Sequence, residues 1–237
     1  MSKPVIWARL SATARTRPRG LDLTAITRAA IAIADEEGLD AVSMRKIANR
    51  IDSGTMSLYR HVNGKEDLVE LMYDSVLGEL LHDLDLSPAG DWRADLARLA
   101  RANRALHHRH PWVGDLGSRP SLGPNALRVM EVAMACVDGQ GLTIDQMMDR
   151  VSTTLQFTQG FVRAELAESE AQRRTGLDEA AWRETIAPYL AQVLLEGRHP
   201  YMARIIEEAD DHPNPDEVFD RRLAMVLDGL ESALPTT

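Results

Sequence analysis

The sequence predicts an all-α protein with a small N-terminal unit of three helices and a larger helical C-terminal body. Three observations carry this prediction. Apolar side chains recur three and four residues apart in segment after segment. No segment shows the period-two alternation of a strand, and no internal repeat is present. Glycine, proline and capping residues punctuate the chain at helical lengths. At 237 residues and 44% hydrophobic content the chain can bury a substantial core. The single cysteine, Cys136, leaves no intramolecular disulfide framework and no cysteine-based zinc site. No apolar run approaches the roughly 20 residues of a membrane span. These features point to a soluble, cytoplasmic protein with no membrane partner.

Residues 1–20 lack periodicity, hold no acidic side chain and end in Arg15-Thr16-Arg17-Pro18-Arg19-Gly20, so they are expected to form a flexible basic arm. From Leu23 to Glu37, Ile26, Ala30 and Ile33 fall at helical spacing, and Gly38 stands where a left-handed cap ends the helix. Ser43 is a good N-cap for a short second helix through Arg50, with Ile47 and Ile51 facing inward. Asp52-Ser53-Gly54 supplies a turn, and a third helix is expected from about Thr55 to His61 with Leu58 and Val62 as its buried pair. Asn63, followed by Glu66 and Asp67, marks the start of a long fourth helix carrying Leu68, Leu71, Met72, Ser75, Val76 and Leu80. After the break at Ser87-Pro88-Ala89-Gly90, a fifth helix begins near Asp91, carries Trp92, Leu96, Leu99 and Leu106, and stops before Pro111. Further helices are expected at about 124–138, 144–169, 178–196 and 216–233. The second of these opens with the capping box Thr143-Ile144-Asp145-Gln146 and shows a stripe of Met147, Val151, Leu155, Thr158, Val162 and Leu166.

Charge is distributed unevenly. Residues 1–65 hold eleven Lys or Arg against six Asp or Glu, a surplus of +5; with −9 for the whole chain, the remainder carries −14. A basic head on an acidic body suits a protein that brings only its head to a polyanion. Two short helices joined by a glycine-containing turn, after a longer supporting helix, fit either a generic αα-hairpin with a solvated polar face or the unit whose second member enters the major groove of DNA. Its exposed set of hydroxyls, an aromatic, Arg60 and His61, followed by Lys65, suits bases and phosphates.

The runs Ser43-Met44-Arg45-Lys46-Ile47-Ala48 and Gly54-Thr55-Met56-Ser57-Leu58-Tyr59-Arg60-His61-Val62-Asn63-Gly64-Lys65-Glu66-Asp67-Leu68 resemble the DNA-binding signature of the tetracycline-repressor (TetR) family. The resemblance implies an N-terminal helix-turn-helix domain at 21–67 and a helical ligand-binding and dimerisation domain at 68–237. It implies that Thr55, Met56, Ser57, Tyr59, Arg60 and His61 face the groove while Arg45 and Lys65 reach bases or phosphates. Leu116-Gly117-Ser118-Arg119-Pro120 and Gln156-Phe157-Thr158-Gln159-Gly160-Phe161-Val162 look like segments of the tetracycline-repressor subgroup. That similarity assigns residues 144–169 and 216–233 to a four-helix homodimer interface. The function implied is a transcriptional repressor released from a palindromic double-stranded operator by a small-molecule inducer. A ligand-independent or activating regulator fits the same residues, and a helical protein-interaction module is the rival of another class.

The tetracycline repressors place a magnesium-binding histidine just before Leu-Gly-x-Arg-Pro, whereas Asp115 stands there in this chain. Leu81, Ala97 and Arg101 do not reproduce the polar and aromatic set expected for a tetracycline–magnesium chelate, so another ligand is expected, with no metal or other cofactor. Met130, Met134, Met147, Met148 and Phe157 offer adaptable apolar walls, and Arg101, Asn103 and Gln156 could orient a polar group. Trp112 either covers this cavity or staples its loop. His107, His108 and His110 cluster near Asp115 but lack the i, i+4 pairing of a helical zinc site, so a structural role at the helix end is favoured. No nucleophile motif, phosphate loop or dinucleotide fingerprint points to an enzyme.

Overall fold

The computed structural model describes residues 6–13, 23–83, 89–116, 121–195, 197–209 and 214–233. Among the described residues every regular element is helical. In chain order these are α1 (Ile6–Thr13), α2 (Leu23–Glu37), α3 (Met44–Arg50), α4 (Thr55–Leu58), α5 (Lys65–Asp83), α6 (Trp92–Arg109), α7 (Pro124–Ala135), α8 (Ile144–Thr175), α9 (Glu179–Leu195), α10 (Pro200–Glu208) and α11 (Pro215–Ser232). Short 3-10 turns cover Leu39–Ala41 and Pro111–Asp115.

The chain divides into two compact units, Met1–Gln159 and Gly160–Thr237. The expected limit at 67/68 falls inside the first unit, where α5 packs against both α2 and α7. Ile26, Ala30 and Ile33 of α2, Ile47 of α3, Leu58 of α4 and Leu68, Met72, Val76 and Leu80 of α5 are buried. In the second unit Phe161 meets Phe219 edge-on with ring centroids 5.1 Å apart, and Leu223 and Leu227 extend the buried stripe of α11.

Local signals fix several helix ends. The Ser43 hydroxyl accepts from Lys46 N at 3.3 Å, and the Asp91 carboxylate accepts from Arg93 N at 3.0 Å and Ala94 N at 3.2 Å. Thr143 and Gln146 close their box in both directions, at 3.3 and 2.9 Å. Gly38 has φ of 86° and ψ of 163°, a positive-φ conformation open to glycine but outside the left-handed helical well expected of it.

Several expectations need correction. The loose-arm reading fails for Ile6–Thr13, which form α1; residues 1–5 and 14–22 lie outside the described residues. Eight residues are marginal as an isolated helix, so tertiary contacts decide. Ile6 is buried, the Trp7 indole N–H donates to Glu70 Oε2 at 3.2 Å, and Arg9 pairs with Asp67. Helix α8 runs six residues beyond 169 because Glu170 and Arg173 pair along its surface, a polar continuation without apolar period; Gly176, at φ of 70°, follows its end. Helix α7 ends at Ala135, with Cys136 and Val137 buried in the turn that follows. Helix α10 was not expected; Pro200 in its first turn supplies the start that the proline-rich context concealed.

The junction of α5 with α7 has a built-in constraint. Gly123, the N-cap of α7, has no side chain, and Asp74 of α5 caps the helix across space, accepting from Asn125 N at 2.9 Å and Ala126 N at 3.0 Å. Burial pushes the Asp74 carboxyl above its ordinary range, opposed by these N–H donors. A Cβ on Gly123 would lie 2.1 Å from Asp74 Oδ1 and 2.8 Å from the Trp7 ring. Gly123→Ala is therefore expected to lower stability by about 1–3 kcal/mol in denaturant unfolding. Wild-type stability for that variant would mean that α7 does not start where the structure places it.

Candidate nucleic-acid interface and effector region

Four features orient the surface of α3 and α4. Ile47 and Ala48 anchor α3 in the core, and Ile51 is half-buried. The turn that follows passes through Asp52 at φ of 48°, a left-handed position that aspartate tolerates, and Ser53 N bonds Ala48 O at 2.9 Å. Helix α4 is one turn long, shorter than the Thr55–His61 expected, because the chain tightens at His61, whose N–H donates to Leu58 O at 2.8 Å. Leu58 and Val62 are both fully buried, as the spacing predicts.

With those two side chains turned inward, the predicted contact residues lie outside. Met56 is 78% exposed and Tyr59 49%. Arg45 and Arg60 are exposed, and Thr55, Ser57 and His61 are half-buried. The Arg60 guanidinium donates to Ser57 Oγ at 3.0 Å, which holds it along α4. Lys65, at the start of α5, is 3.6 Å from Asp40. Asp67 accepts from Asn63 N at 2.7 Å and receives Arg9, so the end of the segment that follows α4 is tied to α5 and α1 together.

The charge of the head is sorted by pairing. Lys46 Nζ is 2.6 Å from Glu37, and Arg50 donates to Glu36 through its two terminal guanidinium nitrogens. The Arg50 contact holds the Glu36 carboxyl below its usual range. No ion pair or hydrogen bond of the Arg45 side chain is found among the described residues, and it lies on the same short helix as those two paired cations. Sequence reasoning missed these acidic partners. Their signal was present: Asp35, Glu36 and Glu37 occupy the C-terminal turn of α2, where the helix dipole disfavours negative charge.

The residues predicted for an effector site are less uniform. Trp112 is fully enclosed, and its indole N–H donates to Asp35 Oδ1 on α2 at 2.7 Å. Of the two expectations for Trp112, the structure supplies the staple. Asn103 is half-buried with Oδ1 enclosed and no hydrogen-bond partner for that atom. Met134, Met147 and Phe157 are half-buried, whereas Arg101, Met130, Met148 and Gln156 are exposed. Leu81 and Ala97 are buried.

The histidines separate. His107 is buried, and burial together with His108 lowers its basicity, while His108 and Asp115 are exposed. His110 lies between Asp35 of α2, 2.8 Å from Nδ1, and Glu79 of α5, 3.1 Å from Nε2. Among the described residues no three His, Cys, Asp or Glu side chains are grouped to hold a metal ion. No helix there is long and apolar enough to cross a membrane.

Comparison with known proteins agrees with this geometry. Residues 26–72 match the family of bacterial regulatory proteins, tetR family, and residues 85–234 match the tetracyclin repressor-like C-terminal domain. The HTH-type transcriptional repressor DrrR1 of Streptomyces coeruleorubidus is 40% identical over 225 residues, covering 92% of this chain and 82% of that protein. The tetracycline repressor protein class A from transposon 1721 of Escherichia coli is 28% identical over 209 residues, covering 86% and 88%. The crystal structure of Streptomyces coelicolor ActR in complex with actinorhodin has the same fold, with a TM-score of 0.74 at 22% identity over 92% of this chain and 99% of that one. The shared signature, the matched N- and C-terminal regions and the extent of identity establish that this chain belongs to the TetR family of transcriptional regulators.

Proposed function

We propose that the chain acts in the cytoplasm as a homodimeric repressor that binds a palindromic operator in double-stranded DNA and leaves it on binding a small organic molecule. The observation that carries this reading is the sorting at the head: Met56, Tyr59, Arg60 and Arg45 are exposed, while Leu58 and Val62 hold the segment from beneath. Arg45 is suited to the O6 and N7 acceptors of a guanine, and Tyr59 to a phosphate or a thymine methyl. Lys65 at the start of α5 is placed for a phosphate contact. Repression is supported by the relationship to DrrR1, a transcriptional repressor.

The segments assigned to the dimer interface support dimerisation: Ile144 and Met148 of α8 and Met225 of α11 are exposed apolar side chains. A two-fold operator read by two copies calls for reading helices about one DNA turn apart. Release then requires a ligand that prefers another separation, and a coupling of about 1–3 kcal/mol changes occupancy by roughly 5- to 150-fold. ActR crystallises with actinorhodin and with (S)-DNPA, which supports a small organic effector here. Asp115, in place of a metal-binding histidine, argues against a tetracycline–magnesium chelate.

Selection of bound fragments from a random DNA pool, at two salt concentrations, tests the reading. A palindrome bound by two copies, with affinity falling steeply in salt, is the expected result. Absence of any enriched sequence would favour a protein-interaction module instead. On the selected operator, Tyr59→Ala is expected to cost about 1–3 kcal/mol in specific binding while sedimentation still shows a dimer. Lys65→Ala should weaken specific and non-specific DNA about equally and lower the salt slope by about 1. Unchanged affinity in both variants would reject this docking geometry.

A further inference from the structure

We infer that His110 is a positioning residue for operator binding: protonated, it clamps α2 of the helix-turn-helix to α5, and deprotonation releases one side of the clamp. The inference rests on the reading of the chain as an operator-binding regulator. His110 is the C-cap of α6 and its ring is nearly enclosed. Nδ1 lies 2.8 Å from Asp35 Oδ1 and Nε2 lies 3.1 Å from Glu79 Oε2. Carboxylate oxygens only accept, so both contacts form together only when both ring nitrogens carry hydrogen. A neutral ring keeps one donor and turns a lone pair toward the other carboxylate.

The groups around the ring come from every element at this junction. Asp35 comes from α2, Glu79 from α5, Arg109 from α6 and Trp112 from the 3-10 turn. Arg109 also donates to Glu79 Oε2, at 3.1 Å, and the Trp112 indole N–H to Asp35 Oδ1, at 2.7 Å. Each carboxylate thus retains a second donor when the imidazole loses its proton, so the junction loosens without scattering. The imidazole contacts a carboxylate on each of α2 and α5, two helices that also pack directly on each other. Since α2 also carries the Glu36 and Glu37 partners of α3, a shift of α2 reaches the reading surface.

The test is operator affinity, by fluorescence anisotropy at constant ionic strength, at about pH 6 and about pH 8, with thermal unfolding measured alongside. Wild type is expected to weaken by about five- to tenfold more over this interval than either His110→Gln or Asp35→Asn, the range in which histidine changes charge. Asp35→Asn keeps an oxygen to accept from Trp112 and from the ring but removes the charge that requires the imidazolium. If His110→Gln fails to fold, Asp35→Asn alone decides. Operator binding with the same pH profile in wild type and Asp35→Asn would overturn the clamp while leaving the repressor reading intact; wild-type protein that selects no DNA would overturn the repressor reading itself.

Discussion

The architecture of the first unit depends on an electrostatic mismatch at the end of α2. Asp35, Glu36 and Glu37 crowd the turn where the peptide dipoles already place negative charge. Left alone, that turn would fray. Each acid is instead answered from a different point in the chain: Glu36 by Arg50, Glu37 by Lys46 and Asp35 by His110 with Trp112. The two exposed pairs are individually weak. The third is part-buried, with the donors His110 and Trp112 enclosed, and hydrogen bonds to charge there are stronger and their geometry more restrictive. Together they gather α3 and the end of α6 around one helix terminus and use up cations that would otherwise blur the distinction between paired and unpaired charge on the head.

Helix α5 plays the complementary part, as a wall with acids placed along its length. Asp67 holds Arg9 and the Asn63 amide, Glu70 holds Trp7 and Ser121, Asp74 caps α7, and Glu79 receives His110 and Arg109. Its apolar side meanwhile buries Leu68, Met72, Val76 and Leu80. One helix therefore carries both the hydrophobic packing and the polar addresses that decide which element goes where. The helices of the head and the beginning of the body share this wall.

What the sequence made legible was local. The caps at Ser43, Asp91 and Thr143 and the buried pair Leu58 and Val62 are decided within a few residues, so their spacing sufficed. Helix α1 was not legible because its stability comes from Glu70 and Asp67, some sixty residues away. The end of α8 escaped for a different reason: a helix held by charged neighbours has no apolar period to read. For the candidate site, the exposed faces of α3 and α4 follow directly from which residues are buried. The effector residues do not, since a cavity wall is a property of several helices at once, and Trp112 was drawn to Asp35 by a contact that no short-range pattern encodes.

The shortness of α4 has an evolutionary consequence. A helix of a single turn contributes almost nothing to its own persistence, so the segment is held by Leu58 and Val62 beneath it, and the side chains above are excused from folding. Met56 and Tyr59 bury little and anchor little, which leaves them open to exchange at small cost in stability. On the proposed docking, fold and sequence preference are stored in different residues of the same short segment. A lineage built on this scaffold can then drift to new operators by changing the outer set while the inner pair stays in place.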